Sequence, residues 1–594
     1  MKPPVWLDDH IYAAPDCPAI DADFQRAREA LNRLQPLLDE LTKTHDINAL
    51  RHLLRAIRAC WREVRRLEWN WQTYGYNRLS RDGRDEAARV LLSRGQQLQA
   101  SLAQLCKPVT LFWVRAPEEQ VRALLQDPEL FELAYAIRHD RRQQEQWLSL
   151  ESEQLIAGLS VDGLQGWGDL YGSLVGRLRP VVEGQPMGLA QADNLLAHPQ
   201  RARRAAAWHA IQAAWGAEQE TVAAILNAIN GWRNELARQR GRERRWDALD
   251  VSCHQGHLER VTLETLMRAA GEHKELGRRA LRAMACAQQI NDFAPWDLYA
   301  PAPAPAPASG LISFEQALAL VADAFTGFDP EMGAFARMMA ANGWIDAAPS
   351  EQRRNGAYST EYAEPPEPRV FLTFEGTLDN VITLAHELGH AWHSWLLREL
   401  PLEQRDYPKT LAETASLFAE ALVRDALLAA TDNMEQRRAI AWLDGERAAS
   451  LLLDVPARFT FERALVAARE EGYVGAGQLR QMMKSAQQQW YGDTLSQYDE
   501  LFWASKGHFS IAELGFYNYP YLFGYLFSLG LYAQQARAGR EFVHAYRELL
   551  RDTGRMSAEE LVEKHLGVDI RAPAFWQESL DYVEEAVARL ERLV

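Results

Sequence analysis

Histidines at 386 and 390 enclose a glutamate in the pattern His386-Glu387-x-x-His390. On a helix, residues four apart project from one face, so both rings can grip a single metal ion. Glu387 then lies where a carboxylate reaches a water on that metal without binding the metal itself. Zinc peptidases use this arrangement to activate water against a carbonyl. The competing reading is a pair of structural histidines on a buried face. With 15 histidines in 594 residues, chance produces the pattern in roughly a few per cent of such chains. The surrounding elements therefore have to decide.

A catalytic zinc needs a third protein ligand and one position open to water. His393 shares the face of the other two histidines but lies roughly 4.5 Å further along the axis, beyond a metal held between them. His393 and Leu396 also stand where a third-histidine turn would need glycine and histidine. The third ligand is expected elsewhere, and Glu413 is the candidate. It lies in 411–420, which reads as a second helix with small residues suited to close approach. Glu413, Ser416 and Glu420 fall on one side of it. A solvated acidic stripe is the ordinary reading of such residues. Leu411, Ala412, Ala415, Leu417, Phe418 and Ala419 leave too little of this helix polar for that. Glu420 is expected behind the metal, orienting a ligating histidine.

The elements that must position these groups are legible in part. Apolar residues at 381, 384, 388, 391, 392 and 395 recur at helical spacing, with Asp379 as the expected N-cap. Residues 370–374 read as a strand after the proline-rich turn at 365–368, with a free edge able to take an extended peptide. From 21 to about 106 the stripes are helical, and 120–240 is mostly so. Residues 111–114 fit a short strand or a buried helix start, and 178–188 a short β excursion. Six arginines in 233–245 read as a solvated helix face with internal ion pairs rather than a nucleic-acid patch. The alternating Ala-Pro run at 300–308 is expected to be extended. A long amphipathic helix carrying Trp576, Leu580, Val583, Val587 and Leu590 closes the chain. No repeat is evident.

A formal charge of −16 argues against nucleic acid as a partner. Five cysteines, at 17, 60, 106, 253 and 286, show no CxxC spacing, which fits a reducing cytoplasm. The first residues lack the apolar core of a signal peptide, and no run is long enough to span a membrane.

Three blocks, 376–394, 413–420, and His508-Phe509 with 516–528, resemble the M3 zinc metallopeptidases, and within them the oligoendopeptidase F branch. The motif-bearing likeness covers about 355–532. It implies one zinc ion held by His386, His390 and Glu413, with Glu387 as general base. It implies that His508, Tyr519 and Tyr521 close over the substrate, with Tyr517 a further match. It also implies a mainly α, two-lobed fold with a deep channel and a small sheet beside the metal helix. The expected division is an N-terminal helical region, 1–200, and a catalytic region, 201–594, with the Ala/Pro loop at 300–309.

The chemistry expected is hydrolysis of internal bonds in short peptides. Tyr519 or Tyr521 hydroxyls and an N–H of His508 would steady the oxyanion. Gly515, Gly524 and Gly530 would let that segment bend. A metallocarboxypeptidase with the same core is the alternative enzyme. A catalytically silent peptide-binding scaffold is the alternative outside enzymology.

Overall fold

The apolar residues of the first hundred positions recur at intervals of three and four, and three successive helices form there: Pro18–Leu41, Ile47–Arg81 and Glu86–Leu105. The carboxylates of Asp46 and Asp85 accept from the backbone N–H of Ala49 and Ala88, closing the N-termini of the second and third. Leu34, Leu38, Leu54, Ile57, Trp71 and Leu91 make the core between them. The computed structural model describes residues 3–240, 246–303 and 311–594. It is mainly helical, with two small sheets.

Residues 111–114 fall in the helix Lys107–Arg115. The 178–188 segment is a β-hairpin, β1 (Val181–Val182) against β2 (Gln185–Pro186). Its turn residues Glu183 and Gly184 have φ of 51° and 81°, the two positive values a tight hairpin turn demands. The 40-residue helix Arg201–Arg240 carries the first part of the arginine run, and 241–245 lie outside the described residues. Arg238 and Arg240 pair with Glu235 and Glu153. Arg233 departs from the solvated reading, because its guanidinium donates to the carbonyls of Ile511 and Leu514 at 2.6 and 2.9 Å. Most of the Ala-Pro run, 304–308, also lies outside the described residues.

The second sheet has three strands in the order β3 (Ile345–Asp346), β5 (Pro368–Phe371), β4 (Tyr358–Glu361). β5 runs parallel to β3 and antiparallel to β4. This corrects the expectation of a free edge at 370–374. That strand is the buried centre of the sheet, and the edge strand beside the metal helix is β4, whose outward Glu361 carbonyl takes the Thr73 hydroxyl at 2.9 Å. The metal helix, Leu378–Leu397, starts seven residues after β5 ends at Phe371. Its N-cap is Thr377 and not Asp379. Thr377 Oγ1 accepts from Asn380 N–H at 3.1 Å, and the Asn380 side chain reaches back, forming a capping box. Asp379 sits inside the first turn.

The apolar face of the metal helix, with Val381, Leu384, Ala385, Leu388, Ala391 and Trp392, enters the largest core of the molecule. The helix Thr414–Ala430 crosses it closely. Gly389 permits this: a Cβ there would lie 2.7 Å from both the Ala415 carbonyl oxygen and Ser416 Cα. A third helix, Tyr519–Ala538, packs on the second. Among the described residues no helix is long and apolar enough to cross a membrane.

Candidate active site

Glu413 sits at the break between two helices, Lys409–Ala412 and Thr414–Ala430, with φ −85° and ψ 1°. The sequence suggested one helix running through it. Ser528 Oγ, from the third helix, donates to the Glu413 carbonyl at 3.1 Å. Ser416 Oγ donates to Glu413 Oε2 at 2.8 Å. Both backbone and carboxylate are thereby fixed.

The structure brings His386, His390 and Glu413 together, with their ligand atoms within 4.8 Å of one another. His386 Nε2 and His390 Nε2 are 3.1 Å apart. Glu413 Oε2 lies 3.4 Å from the first and 3.5 Å from the second. A tetrahedral ion with ligand bonds of about 2.0–2.1 Å has edges of about 3.3–3.4 Å, so this triangle is one face of such a tetrahedron. The donor set fits zinc.

Glu420 is 1% exposed and accepts from His386 Nδ1 at 2.7 Å. Nε2 is thus left to face the other ligands, the usual support for a ligating histidine. Arg447 and Arg424 lie 2.5 and 3.6 Å from the other Glu420 oxygen. Burial would raise its pKa, but Arg447 and His386 hold it down at about 2. Burial likewise opposes charge on His386, yet Glu420, Glu387 and Glu413 raise it to about 9. Glu413 is pulled well below the carboxylate range by His390, His386 and Ser416 against its own burial. A field that draws a proton to this spot equally favours a metal cation there.

Glu387 is 5% exposed, lines the cleft, and its Oε2 has no hydrogen-bond partner. Burial raises its pKa against the pull of His386 and His390. His393 faces away, as the axial offset required. Its ring stacks on Tyr407 with centroids 4.3 Å apart, and Nε2 reaches Leu550 O and Thr553 Oγ1 at 3.1 and 2.8 Å.

The cleft has a volume of about 530 Å³. The β4 edge forms one wall, and Tyr407, Lys409, Tyr517 and Tyr521 line others. His508 stacks on Tyr521 at 5.6 Å and meets the edge of Tyr517 at 5.2 Å. Tyr519 is not brought to the cleft. It is 1% exposed, and its hydroxyl donates to the Ser252 carbonyl at 3.0 Å. Residues two apart on a helix point about 200° apart, so Tyr519 and Tyr521 cannot share a cleft. Tyr519→Phe is accordingly expected to leave kcat within about twofold while lowering stability by about 1 kcal/mol; peptide assays and thermal melts check both. Gly524 and Gly530 are not hinges either. A Cβ on Gly524 would lie 2.8 Å from Glu413 Cβ, and one on Gly530 2.5 Å from the Phe575 ring. They are close-packing points.

Sequence reasoning missed the β4 edge, Tyr407, Arg447 and Asn518, whose Oδ1 lies 2.8 Å from His508 Nδ1. A signal for β4 existed: Gly356 before it and the 365–368 proline turn after it bracket a run rich in β-formers.

A helical fold with two histidines and a glutamate around one point, a buried carboxylate beside them and a strand edge along the cleft defines a metallopeptidase. The chain belongs to peptidase family M3, whose model matches residues 194–582. A second model, Oligopeptidase F, matches residues 113–179. The chain is thus a peptide hydrolase, and the family implies a catalytic metal. It is 22% identical to Oligopeptidase PepF of Bacillus subtilis (strain 168), over 99% of this chain and 88% of that one. It is 26% identical to Group B oligopeptidase PepB of Streptococcus agalactiae, over 75% and 74%. The fold matches oligoendopeptidase-F from Enterococcus faecium with a TM-score of 0.72, 18% identity and 99% of each chain covered.

Proposed function

We propose that the protein is a zinc oligoendopeptidase that cuts internal bonds of short peptides. The triangle of His386, His390 and Glu413, with unpartnered Glu387 beside it, carries this reading. The names of its relatives support the choice of short peptides. We also place the boundary of the catalytic region near residue 200, supported by a family match that begins at 194. A cytoplasmic location is supported by cysteines that are all free thiols.

His386, His390 and Glu413 would hold the zinc, which would supply Lewis acidity to the scissile carbonyl and lower the pKa of water. Glu387 accepts the proton of the attacking water and returns it to the leaving amine. The β4 edge pairs with the peptide main chain and aligns it along the cleft. The Tyr521 hydroxyl donates to the oxyanion. Its burial and the neighbouring Tyr517 and Glu413 raise its pKa, so it keeps its proton throughout the neutral range. For Tyr521→Phe, a fall in kcat of about 10²–10³-fold with unchanged metal content is expected. Peptide-cleavage rates within threefold of the parent would remove Tyr521 from that role.

A quenched library of short peptides, with free and amidated C-termini and read by mass spectrometry, tests the whole reading. Internal cuts in both sets are expected. Cuts confined to free C-termini would make the protein a carboxypeptidase. A protein without zinc and without cuts would be a binding scaffold.

A further inference from the structure

His508 reaches the cleft wall through Tyr517 and Tyr521, and what its ring can do there depends on which nitrogen holds the proton. Its Nδ1 lies 2.8 Å from Asn518 Oδ1. An amide offers oxygen to one side and NH₂ to the other, and the surroundings of Asn518 decide its orientation. Arg458, which can only donate, approaches the same Oδ1 at 3.5 Å. On the opposite side the amide nitrogen faces the carboxylate of Glu462. Glu462 is 2% exposed and already takes Phe516 N–H on Oε1 at 2.7 Å. Its other oxygen and Asn518 Nδ2 each lack a hydrogen-bond partner. Burial raises the pKa of Glu462 to about 7, so the orientation is decided at Arg458: turning the amide over would set NH₂ against a guanidinium, donor against donor, away from water. Asn518 is fully buried, so such a contact is costly.

The turn is held elsewhere too. Phe516 has φ 57°, a left-handed conformation that a bulky side chain rarely adopts. Glu462 fastens its N–H, and Arg233 fastens the carbonyls of Ile511 and Leu514. The oxygen of Asn518 thus has a fixed address, and the His508 nitrogen facing it must donate. His508 is neutral near pH 7, since burial, Lys506 and Arg458 lower its pKa to about 4 despite Asn518 and Asp454. A neutral ring has one N–H. Nε2 therefore carries a lone pair and has no protein partner among the described residues.

We propose that Asn518 is a positioning residue that holds His508 in the Nδ1–H form, so that Nε2 accepts a hydrogen bond from a main-chain N–H of the substrate. This rests on the reading of the cleft as a peptide site. It replaces the expectation that His508 donates to the oxyanion, and leaves that task to the Tyr521 hydroxyl.

The test uses the zinc enzyme and a peptide series in which each non-scissile N–H in turn is replaced by an ester oxygen. At one position the ester is expected to lower kcat/KM by about tenfold in the parent, and by less than twofold in His508→Ala. The weakened ester carbonyl affects both proteins and cancels in the cycle. Equal losses in both at every position overturn the proposal. Asn518→Asp supplies a readout that a merely structural role would not move. A carboxylate at Nδ1 favours the imidazolium, among Lys506, Arg458, Asp454, Glu462, Tyr517 and Tyr521. The acceptor is then lost at higher pH, and the acid limb of kcat/KM moves up by about one unit or more. Activity sustained towards acid pH would instead mark His508 as a donor. An equal loss at all pH values would mark Asn518 as structural. ¹⁵N spectra of histidine-labelled enzyme, with His508→Ala for assignment, report the tautomer without turnover. An Nε2–H signal for His508 overturns the proposal. Failure of the parent to cut any peptide would instead sink the functional reading.

Discussion

Glu387→Gln is expected to retain its metal and lose almost all turnover, with kcat down by about 10²–10⁴-fold, the usual worth of a positioned general base. Glutamine keeps the volume of a side chain that is 5% exposed, so packing along the metal helix survives. It also leaves His386, His390 and Glu413 untouched. What it removes is the proton acceptor. The Glu387 carboxylate lines the cleft, and its buried Oε2 has no hydrogen bond within the protein, so no protein donor competes with a water proton delivered from the cleft side, whereas an amide nitrogen there can only donate. Metal analysis beside steady-state kinetics separates the two effects. Full metal with activity within tenfold of the parent would take the base role from Glu387.

Glu413→Ala is expected to act on the other quantity. Two imidazoles remain, and the Ser416 hydroxyl loses the carboxylate it donates to at 2.8 Å. Metal affinity should fall by more than the roughly 10–100-fold that follows loss of an outer partner. Glu420→Gln gives that internal standard, since Glu420 touches His386 Nδ1 and lies outside the ligand triangle. Competition with a chelator ranks the three proteins, and the expected order is parent, Glu420→Gln, Glu413→Ala. A Glu413→Ala protein with full metal and full activity would remove Glu413 from coordination.

The parts of this site that could be read in the sequence are those that local spacing determines. The histidine pair and its apolar face share one helical period. Glu413 and Glu420 stood out because the residues around them are apolar. The break at Glu413 could not be read, because a hydroxyl 115 residues away, Ser528, captures its carbonyl. The strand at 370–374 was visible as a strand but not as the centre of a sheet. Its second neighbour is the two-residue β3, Ile345–Asp346, too short to show any period. Tyr519 was open to correction from the sequence alone. Pro520 marks a helix start, and helical phase then sets Tyr519 and Tyr521 on nearly opposite sides. The roles of Arg233 and Asn518 depend on the path of 507–518, which no local pattern specifies.

The close contact at Gly389 bears on how such a protein tolerates change. The backbone there touches Ala415 and Ser416 where any side chain would stand, between the residues that carry His390 and Glu413. One added methyl at position 389 would wedge apart the two helices on which the ligand triangle is drawn. A deep mutational scan should therefore find this glycine as invariant as the ligands. Its intolerance would come from geometry alone, since it has no side chain with which to do chemistry.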